Sequence, residues 1–306
     1  MAIEDDALKG KPKPSWIRAK FPTRKQYRTT QQLIERQGLH TVCEEAFCPN
    51  WAECWESGTA TFLLMGDVCT RGCKFCDVTP GNPRKWLDLE EPRKMAEAVQ
   101  GLALKYVVLT SVDRDDLEDG GAAHLAQCIV TVRELNPEIL IEILIPDFRG
   151  DIASLRTIVE EQPNVIGHNL ETTETMTPQV RDSRASFRQS LFVLKSIKEM
   201  SPLTLTKSSI MLGLGETTTH VQAALQELRN INVDIVTLGQ YLQPSRRHLP
   251  VIKYITPQEF KQWEHFALKM GFLHVISGPL VRSSYKAGEF YAQHYFSGKK
   301  RQQNNS

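Results

Sequence analysis

The chain has 306 residues, of which 41% are hydrophobic and 24% are charged, a balance typical of a globular protein with a full core. A net charge of +1 and the lack of an apolar run of roughly 18 residues argue against nucleic-acid binding and membrane insertion. The N-terminus opens acidic without a secretory signal and seven cysteines are present, so we predict a reducing cytoplasmic location.

The predicted elements change character near residue 61. Residues 1–60 show little periodicity beyond a short helical stretch at 30–37. The β-rich runs that follow are at 61–66, 106–110, 139–146, 164–169, 207–214 and 234–242. Apolar residues at helical spacing fill 92–104, 122–135, 152–160, 184–200, 221–230 and 257–270. Thr256 is the predicted N-cap of the last helix, and Gly271 is its predicted C-terminal glycine.

Strands that alternate with helices predict parallel βαβ units and therefore an α/β fold. A doubly wound sheet and a barrel both fit this alternation. Polar residues follow several strands, at 111–113, 171–173 and 215–217. Because barrel active sites are built from the loops at the carboxyl ends of the strands, this pattern favours a barrel.

Six cysteines form two groups of three. Cys43, Cys48 and Cys54 read C-x4-C-x5-C, and Cys69, Cys73 and Cys76 read C-x3-C-x2-C directly after the first strand. Each group is one thiolate short of a closed four-ligand site, which indicates a metal centre with an open position. Structural zinc is the weaker interpretation, since no second cysteine pair follows. Cys128 lies within an apolar helical stretch and is predicted to be a buried, inert thiol.

The second group, with Phe75 before its last cysteine, resembles the signature of the radical S-adenosylmethionine superfamily. The N-terminal group and Arg282-Ser283-Ser284-Tyr285 resemble the lipoyl synthase family within it, as do TSVDRDDLEDGGA at 110–122, GHNLET at 167–172 and MLGLGET at 211–217. The likeness extends from about residue 12 to residue 291.

This resemblance implies a partial (β/α)6 TIM-type barrel whose mouth is closed by N-terminal and C-terminal extensions. The corresponding division is an extension at 1–60 with the auxiliary-cluster cysteines, a barrel at 61–250, and a C-terminal part at 251–306 with a helix, the serine motif and a polar tail.

The resemblance also implies two [4Fe–4S] clusters and two S-adenosylmethionine molecules per product. Cys69, Cys73 and Cys76 would hold the cluster that binds S-adenosylmethionine. Cys43, Cys48 and Cys54 would hold an auxiliary cluster whose fourth ligand is Ser284, with Ser283 as the alternative. Arg282 and Ser284 are the predicted catalytic residues, and the predicted contacts of S-adenosylmethionine are Phe75, Asn169, Glu171 and Arg181.

Several of these residues and their neighbours also have a purely structural interpretation. Arg181 is equally well a surface salt-bridge partner, and His168 is expected to be a hydrogen-bonded barrel residue. The charge run Asp113–Asp116 is ordinarily a solvated loop, and Gly213–Glu216 a tight turn.

The implied activity is insertion of sulfur at C6 and C8 of an octanoyl-lysine, with the auxiliary cluster as sulfur donor. The implied partners are an octanoylated carrier, either the lipoyl domain of a 2-oxoacid dehydrogenase or the glycine-cleavage H protein, and a low-potential electron donor such as ferredoxin or flavodoxin. Another radical enzyme with an auxiliary cluster, such as a methylthiotransferase, is the nearest alternative. A non-catalytic iron–sulfur electron carrier is a second alternative from another class.

Overall fold

A computed structural model describes residues 12–18, 31–32, 34, 36–42, 48, 50, 53–54 and 59–285. Cys43 lies outside the described residues, as do most of the predicted N-terminal extension and the polar tail. Among the described residues, no helix is long and apolar enough to cross a membrane.

The main element of the fold is an eight-stranded sheet. The strands, in chain order, are β1 His40–Thr41, β2 Thr59–Leu64, β3 Val68–Cys69, β4 Thr79–Pro80, β5 Tyr106–Ser111, β6 Leu140–Leu144, β7 Val165–Gly167, β8 Leu205–Leu212, β9 Ile235–Gln240 and β10 His274–Gly278. Their order in the sheet is β1-β2-β5-β6-β7-β8-β9-β10, and β3 and β4 pair separately. All neighbours from β2 to β10 are parallel, whereas β1 is antiparallel to β2.

Helices connect the parallel strands. They are α1 Glu91–Gly101, α2 Ala122–Leu135, α3 Ile152–Glu160, α4 Thr177–Val180, α5 Phe187–Met200, α6 Thr218–Asn230 and α7 Pro257–Lys269, and a 3₁₀ turn spans Phe148–Gly150. Within the part of the chain that is described, β1 and β10 do not pair, so the sheet is an open, partial barrel. The predicted fold class is confirmed.

Each strand and helix predicted from residue 61 onward is present, with shifts at the ends, whereas the helix predicted at 30–37 lies partly outside the described residues. The helix predicted from residue 184 begins at Phe187, because the Ser186 side chain accepts a hydrogen bond from the Gln189 amide and starts it there. Thr256 caps α7 as predicted, in a reciprocal capping box with Glu259, and Gly271 follows the helix at φ 93°. The parallel strand β10 was not predicted, and its residues are mostly only half-buried.

Alternating side chains divide the strands between two apolar layers. On β5, Val107 and Leu109 belong to the core beneath the helices, whereas Tyr106 and Val108 face the barrel interior. Inside, Lys207 on β8 pairs with Glu142 on β6 at 2.8 Å. Both charges are buried, so the ion pair ties non-adjacent strands together across the interior.

Candidate functional site

The thiols of Cys69, Cys73 and Cys76 line one cavity at the carboxyl edge of the sheet. The cavity contains about 840 Å³ of space free of protein atoms, its open mouth included. Its other walls come from residues that follow β5, β6 and β7, including Ser111, Asp113, Asp147, His168, Asn169, Glu171 and Arg181.

The loop that carries these cysteines is fixed by the segment after α4. The Lys74 amide donates to the Val180 carbonyl at 2.9 Å. The Gly72 amide donates to an Asp182 carboxylate oxygen at 2.8 Å, and Arg184 Nη2 donates to the Thr70 carbonyl at 2.6 Å. The loop also closes on itself, since β3 and β4 flank it and pair. The three thiols are therefore held in a fixed arrangement.

Arg71, between the first two cysteines of the loop, is a site residue that sequence reasoning missed. Its side chain is 3% exposed. Nη1 and Nη2 each donate to Asp147 at 2.7 Å, and Nε and Nη2 donate to Asp115 at 2.9 Å. Burial alone would raise the pKa of Asp147, but the hydrogen bonds and charge of Arg71 lower it to about 2. Arg71 thus ties the loop to the ends of β5 and β6.

The chemistry of the thiols fits an iron–sulfur cluster. Backbone amides point at the sulfurs: that of Arg71 lies 3.4 Å from Cys69 Sγ, and that of Asp182 lies 3.4 Å from Cys73 Sγ. Burial raises the pKa of Cys73 to about 11 and, with the neighbouring thiols, that of Cys76 to about 12. Such thiols lose their protons when a metal cation compensates the charge, and amide hydrogen bonds to sulfur stabilise the bound thiolates.

Asn169 and Glu171 reach the cavity from the end of β7. Asn169 Nδ2 donates to Glu171 Oε1 at 3.0 Å. Glu171 adopts φ 65°, and its backbone is held in that unusual conformation by hydrogen bonds to Ser209 and Met211. Burial raises the pKa of Glu171, with the Arg181 charge opposing it. Backbone strain at a cavity-lining carboxylate is typical of a binding site.

Arg181 is buried at the cavity wall, and the interpretation as a surface salt-bridge partner is wrong. The predicted role of His168 as a hydrogen-bonded barrel residue is confirmed, because both of its ring nitrogens have partners. Phe75 lines the cavity too. The cavity therefore brings together all four of the predicted S-adenosylmethionine contacts with the three cysteines.

The run Asp113–Asp116 is not a solvated loop. Asp113 lines the cavity, and Arg114 is 1% exposed. Both Arg114 Nε and Nη2 donate to Asp116 at 2.8 Å, which neutralises both charges. These side chains serve to fix the loop after β5 beside the cysteines.

The Arg282–Tyr285 motif lies against the N-terminal cysteine segment. Asn50 Nδ2 donates to the Leu280 carbonyl, and Tyr285 Oη donates to Glu53 Oε2 at 3.3 Å. Burial lowers the pKa of Arg282, and the Cys48 thiol acts in the opposite direction. Cys48 and Cys54 are half-buried. The structure thus places two cysteines of the first group near the serine motif.

The serine motif reaches this position because the backbone at Val281, next to the motif, packs closely against the backbone of β9. A Cβ on Gly239, in β9, would collide with the Val281 carbonyl. Arg282 Nη1 donates to the Gln240 carbonyl at 3.3 Å and to the Val281 carbonyl at 2.9 Å. The serine motif therefore crosses the carboxyl end of β9, on the edge of the sheet that also holds the cysteine loop.

The Gly213–Glu216 segment and Cys128, both considered from the sequence, have structural roles. The Glu216 carboxylate accepts hydrogen bonds from the Gly213 and Leu214 amides at 2.6 and 2.9 Å, which is the predicted tight turn. Cys128 is fully buried, as predicted, and burial raises its pKa well above the usual value. It lies beside His124 and Glu91, which hydrogen-bond to each other at 2.6 Å and join α1 to α2.

Comparison with known proteins identifies the family. Residues 63–228 match the profile of the Radical SAM superfamily. The lipoyl synthase of Thermus thermophilus is 50% identical over 281 residues, covering 92% of this chain and 87% of the relative. The chain belongs to the lipoyl synthase family.

Other relatives agree with membership in the lipoyl synthase family. The mitochondrial lipoyl synthase of Culex quinquefasciatus is 51% identical over 283 residues, covering 91% of this chain and 74% of the relative. Among solved structures, methylornithine synthase aligns with a TM-score of 0.54 at 14% identity, covering 87% of this chain and 83% of the other. The hydrogenase maturase HydG from Carboxydothermus hydrogenoformans aligns with a TM-score of 0.56 at 13% identity, covering 80% and 63%. At these identities the structures support the fold alone.

Proposed function

We propose that this member of the lipoyl synthase family replaces one hydrogen at C6 and one at C8 of a protein-bound octanoyl-lysine by sulfur. The observation that carries the proposal is the meeting of two cysteine segments with the serine motif at one edge of the barrel. When bound, one [4Fe–4S] cluster with S-adenosylmethionine supplies a hydrogen-abstracting radical, and an auxiliary cluster supplies sulfide.

Cys69, Cys73 and Cys76 are the proposed ligands of the cluster that binds S-adenosylmethionine. Three observations support this assignment. The three cysteines line the same cavity, and backbone amides donate hydrogen bonds to two of their sulfurs. Asp182 and Arg184 also hydrogen-bond to the backbone of the loop and hold it in place. Three thiolates leave one iron open for the amino and carboxylate groups of the cofactor.

Cys43, Cys48, Cys54 and Ser284 are the proposed ligands of the auxiliary cluster, with Ser283 as the alternative oxygen ligand. Support comes from the hydrogen bonds of Asn50 and Glu53, which hold the segment with Cys48 and Cys54 against the serine motif. An alkoxide is a harder ligand for iron than a thiolate, so its bond is the one expected to open when sulfide is withdrawn. The half-buried Arg282 would stabilise the negative charge of the cluster and its ligands.

The remaining cavity residues would bind and orient S-adenosylmethionine, two molecules of which are used per product. The fork of donors on Arg181 suits the cofactor's carboxylate, and the acceptors of Glu171 and Asn169 suit its amino and hydroxyl groups. Phe75 would contact the adenine face. Apolar side chains such as Leu63, Val112 and Ile145 line the cavity and would exclude water from the radical.

The proposed organisation keeps residues 1–60 and 251–306 as extensions that cover the barrel mouth at 61–250. The substrate is protein-bound, and the proposed carriers are the lipoyl domain of a 2-oxoacid dehydrogenase or the glycine-cleavage H protein. A ferredoxin or flavodoxin would supply the electrons. A reducing compartment such as the cytoplasm suits the six described cysteines, none of which is joined in a disulfide.

Anaerobic metal and product analysis tests this proposal. Reconstituted protein should contain about eight iron and eight sulfide atoms per chain, as two four-iron clusters require. With S-adenosylmethionine, a reductant and an octanoyl-lysyl peptide, the product should gain two sulfurs in place of two hydrogens. A Cys73→Ala control should lose deoxyadenosine formation and keep the auxiliary cluster. Zinc without sulfide, or deoxyadenosine formation with no sulfur in the octanoyl product, would refute the proposal.

A further inference from the structure

A line of buried hydrogen bonds runs from Arg181 into the wall behind the cavity. Arg181 Nη1 donates to Ser190 Oγ at 2.8 Å and to the Leu170 carbonyl at 3.4 Å. Ser190 Oγ lies 2.9 Å from His168 Nε2, and His168 Nδ1 lies 2.9 Å from the Ile145 carbonyl. Ser190 is 0% exposed, His168 4% and Arg181 7%. These hydrogen bonds are therefore largely shielded from bulk water.

The chemistry of the groups fixes the direction of every bond. A guanidinium can only donate, so Ser190 Oγ accepts from Arg181 and has its own hydrogen left to give. The Ile145 carbonyl can only accept, so His168 Nδ1 carries a proton and donates it. The Ser190 hydroxyl then donates to His168 Nε2. One neutral tautomer of His168 satisfies all of these partners.

His168 is suited to this place because it stays neutral. Burial lowers the pKa of His168 to about 4, and the neighbouring Arg181 charge acts in the same direction. Its Nε2 is therefore an acceptor at ordinary pH. A charged imidazole would turn a donor toward Ser190 and place a second cation beside Arg181.

The other side of Arg181 is unpaired. Its Nε is buried and has no hydrogen-bond partner among the described residues. Arg181 also lines the cavity that holds the cysteine thiols. A guanidinium that lines a cavity and has no carboxylate partner among the described residues suits an anionic ligand group there.

We propose that Ser190 and His168 are positioning residues, which hold the Arg181 guanidinium in the orientation that receives the carboxylate of S-adenosylmethionine. This inference rests on the proposed function, in which Arg181 binds that carboxylate. When the guanidinium is already held in its binding orientation, the protein does not lose the conformational entropy of a long side chain on ligand binding. Ser190 does not line the cavity, so it acts on the ligand only through Arg181.

The test compares two ligands on the reconstituted protein by equilibrium dialysis. S-adenosylhomocysteine contains the carboxylate, and methylthioadenosine lacks the amino-acid part. Ser190→Ala should weaken S-adenosylhomocysteine binding about fivefold to tenfold, as loss of one ordinary hydrogen bond implies, and leave methylthioadenosine binding unchanged. Ser196→Ala is the matched control, because Ser196 is also buried and lies six residues further along the same helix. It should change neither affinity.

Arg181→Met separates this inference from the proposed function. If Arg181 binds the carboxylate, that variant should lose about thirtyfold or more of S-adenosylhomocysteine affinity and none of its methylthioadenosine affinity. Equal affinity in Arg181→Met and the parent protein would overturn the carboxylate assignment itself. A large loss in Arg181→Met with none in Ser190→Ala would overturn the positioning role alone.

A double variant and a conservative replacement complete the design. Since Ser190 acts through Arg181, Ser190→Ala should have no further effect in the Arg181→Met background. Additive losses would overturn the inference. Ser190→Cys keeps a small donor and acceptor and should recover part of the affinity. If Ser190→Ala proves unstable to heat, Ser190→Cys and His168→Gln carry the same comparison, with weakened carboxylate-dependent binding as the supporting outcome and equal weakening of both ligands as the contrary one.

Discussion

Replacement of Arg71 by methionine should destabilise the protein even before any cluster is bound. The change removes a cation that donates four hydrogen bonds to Asp115 and Asp147. Methionine keeps a similar apolar stem, so the lost packing is small. The Asp147 side chain has 0% exposure and would remain as a buried carboxylate, with the Arg149 amide as its remaining partner. Asp115 keeps Arg184 and the Thr70 hydroxyl.

The magnitude follows mainly from Asp147. Breaking a buried ion pair by removal of one partner costs about 3–5 kcal/mol, because the other charge is left uncompensated. The lowered pKa of Asp147 gives an independent bound. A fall from 3.8 to about 2 corresponds to roughly 2.4 kcal/mol at about 1.4 kcal/mol per pH unit. We therefore expect Arg71→Met to lower the free energy of unfolding by about 3 kcal/mol.

Urea unfolding of the cluster-free protein under anaerobic conditions measures this directly. Asp147→Asn in the Arg71→Met background removes the stranded charge and should restore most of the lost stability. Arg93→Met is the matched control, since Arg93 forms ion pairs on the exposed surface of α1 and should leave the unfolding midpoint unchanged. A midpoint for Arg71→Met equal to that of the control, or a double variant no more stable than Arg71→Met, would refute the reasoning.

Three further predictions concern other parts of the account. Ser284→Cys should keep its iron and deoxyadenosine formation but lose sulfur insertion, because a fourth thiolate closes the auxiliary cluster; full lipoyl formation by this variant would contradict the proposed ligand. Thr256→Ala should lower the free energy of unfolding by about 1 kcal/mol through loss of the capping box with Glu259. Thr157→Ala is the control and should not destabilise the protein in the same urea titration, because Thr157 is a half-buried threonine within α3 whose hydroxyl bonds only to the Ala153 carbonyl. Because the pKa of Asp147 is lowered in the folded protein, its carboxylate stabilises the fold at pH values above its ordinary pKa of 3.8, and this contribution is lost as the pH falls toward 2. Between pH 6 and 3, the unfolding free energy of the cluster-free protein should therefore decline more steeply than that of Asp147→Asn. Parallel curves for the two proteins would contradict this prediction.

The parallel strands could be predicted because their burial leaves a direct mark on the sequence. Runs such as Tyr106–Ser111 are almost wholly buried and read as continuous apolar segments. β10 does not form a continuous apolar segment, because His274–Gly278 is mostly half-buried at the edge of the sheet. β1 has two residues and exists only through its pairing with β2. Short edge strands depend on the neighbour they meet, which a local pattern does not contain.

Some residues of the candidate site could likewise be predicted from the sequence, and others could not. Cysteine spacing and the ends of predicted strands led to Cys69, Asn169 and Glu171, because metal loops and barrel mouths impose regular positions. The pairing of Arg71 with Asp147 was missed, as it joins residues 76 positions apart through two loops. The charge run after β5 was expected to be solvated for a similar reason, because Arg71, which pairs with Asp115, lies in another loop.

Transfer of an isotopic label tests the central claim most directly. The protein would be reconstituted with sulfide of a heavy sulfur isotope, freed of excess sulfide, and given an octanoyl-lysyl peptide, S-adenosylmethionine and reductant for one turnover. The account predicts that both sulfurs of the lipoyl product carry the label, and that the iron and sulfide held by Cys48, Cys54 and Ser284 are lost in proportion. Product sulfur without the label, or an auxiliary cluster that keeps all its sulfide through product formation, would contradict it.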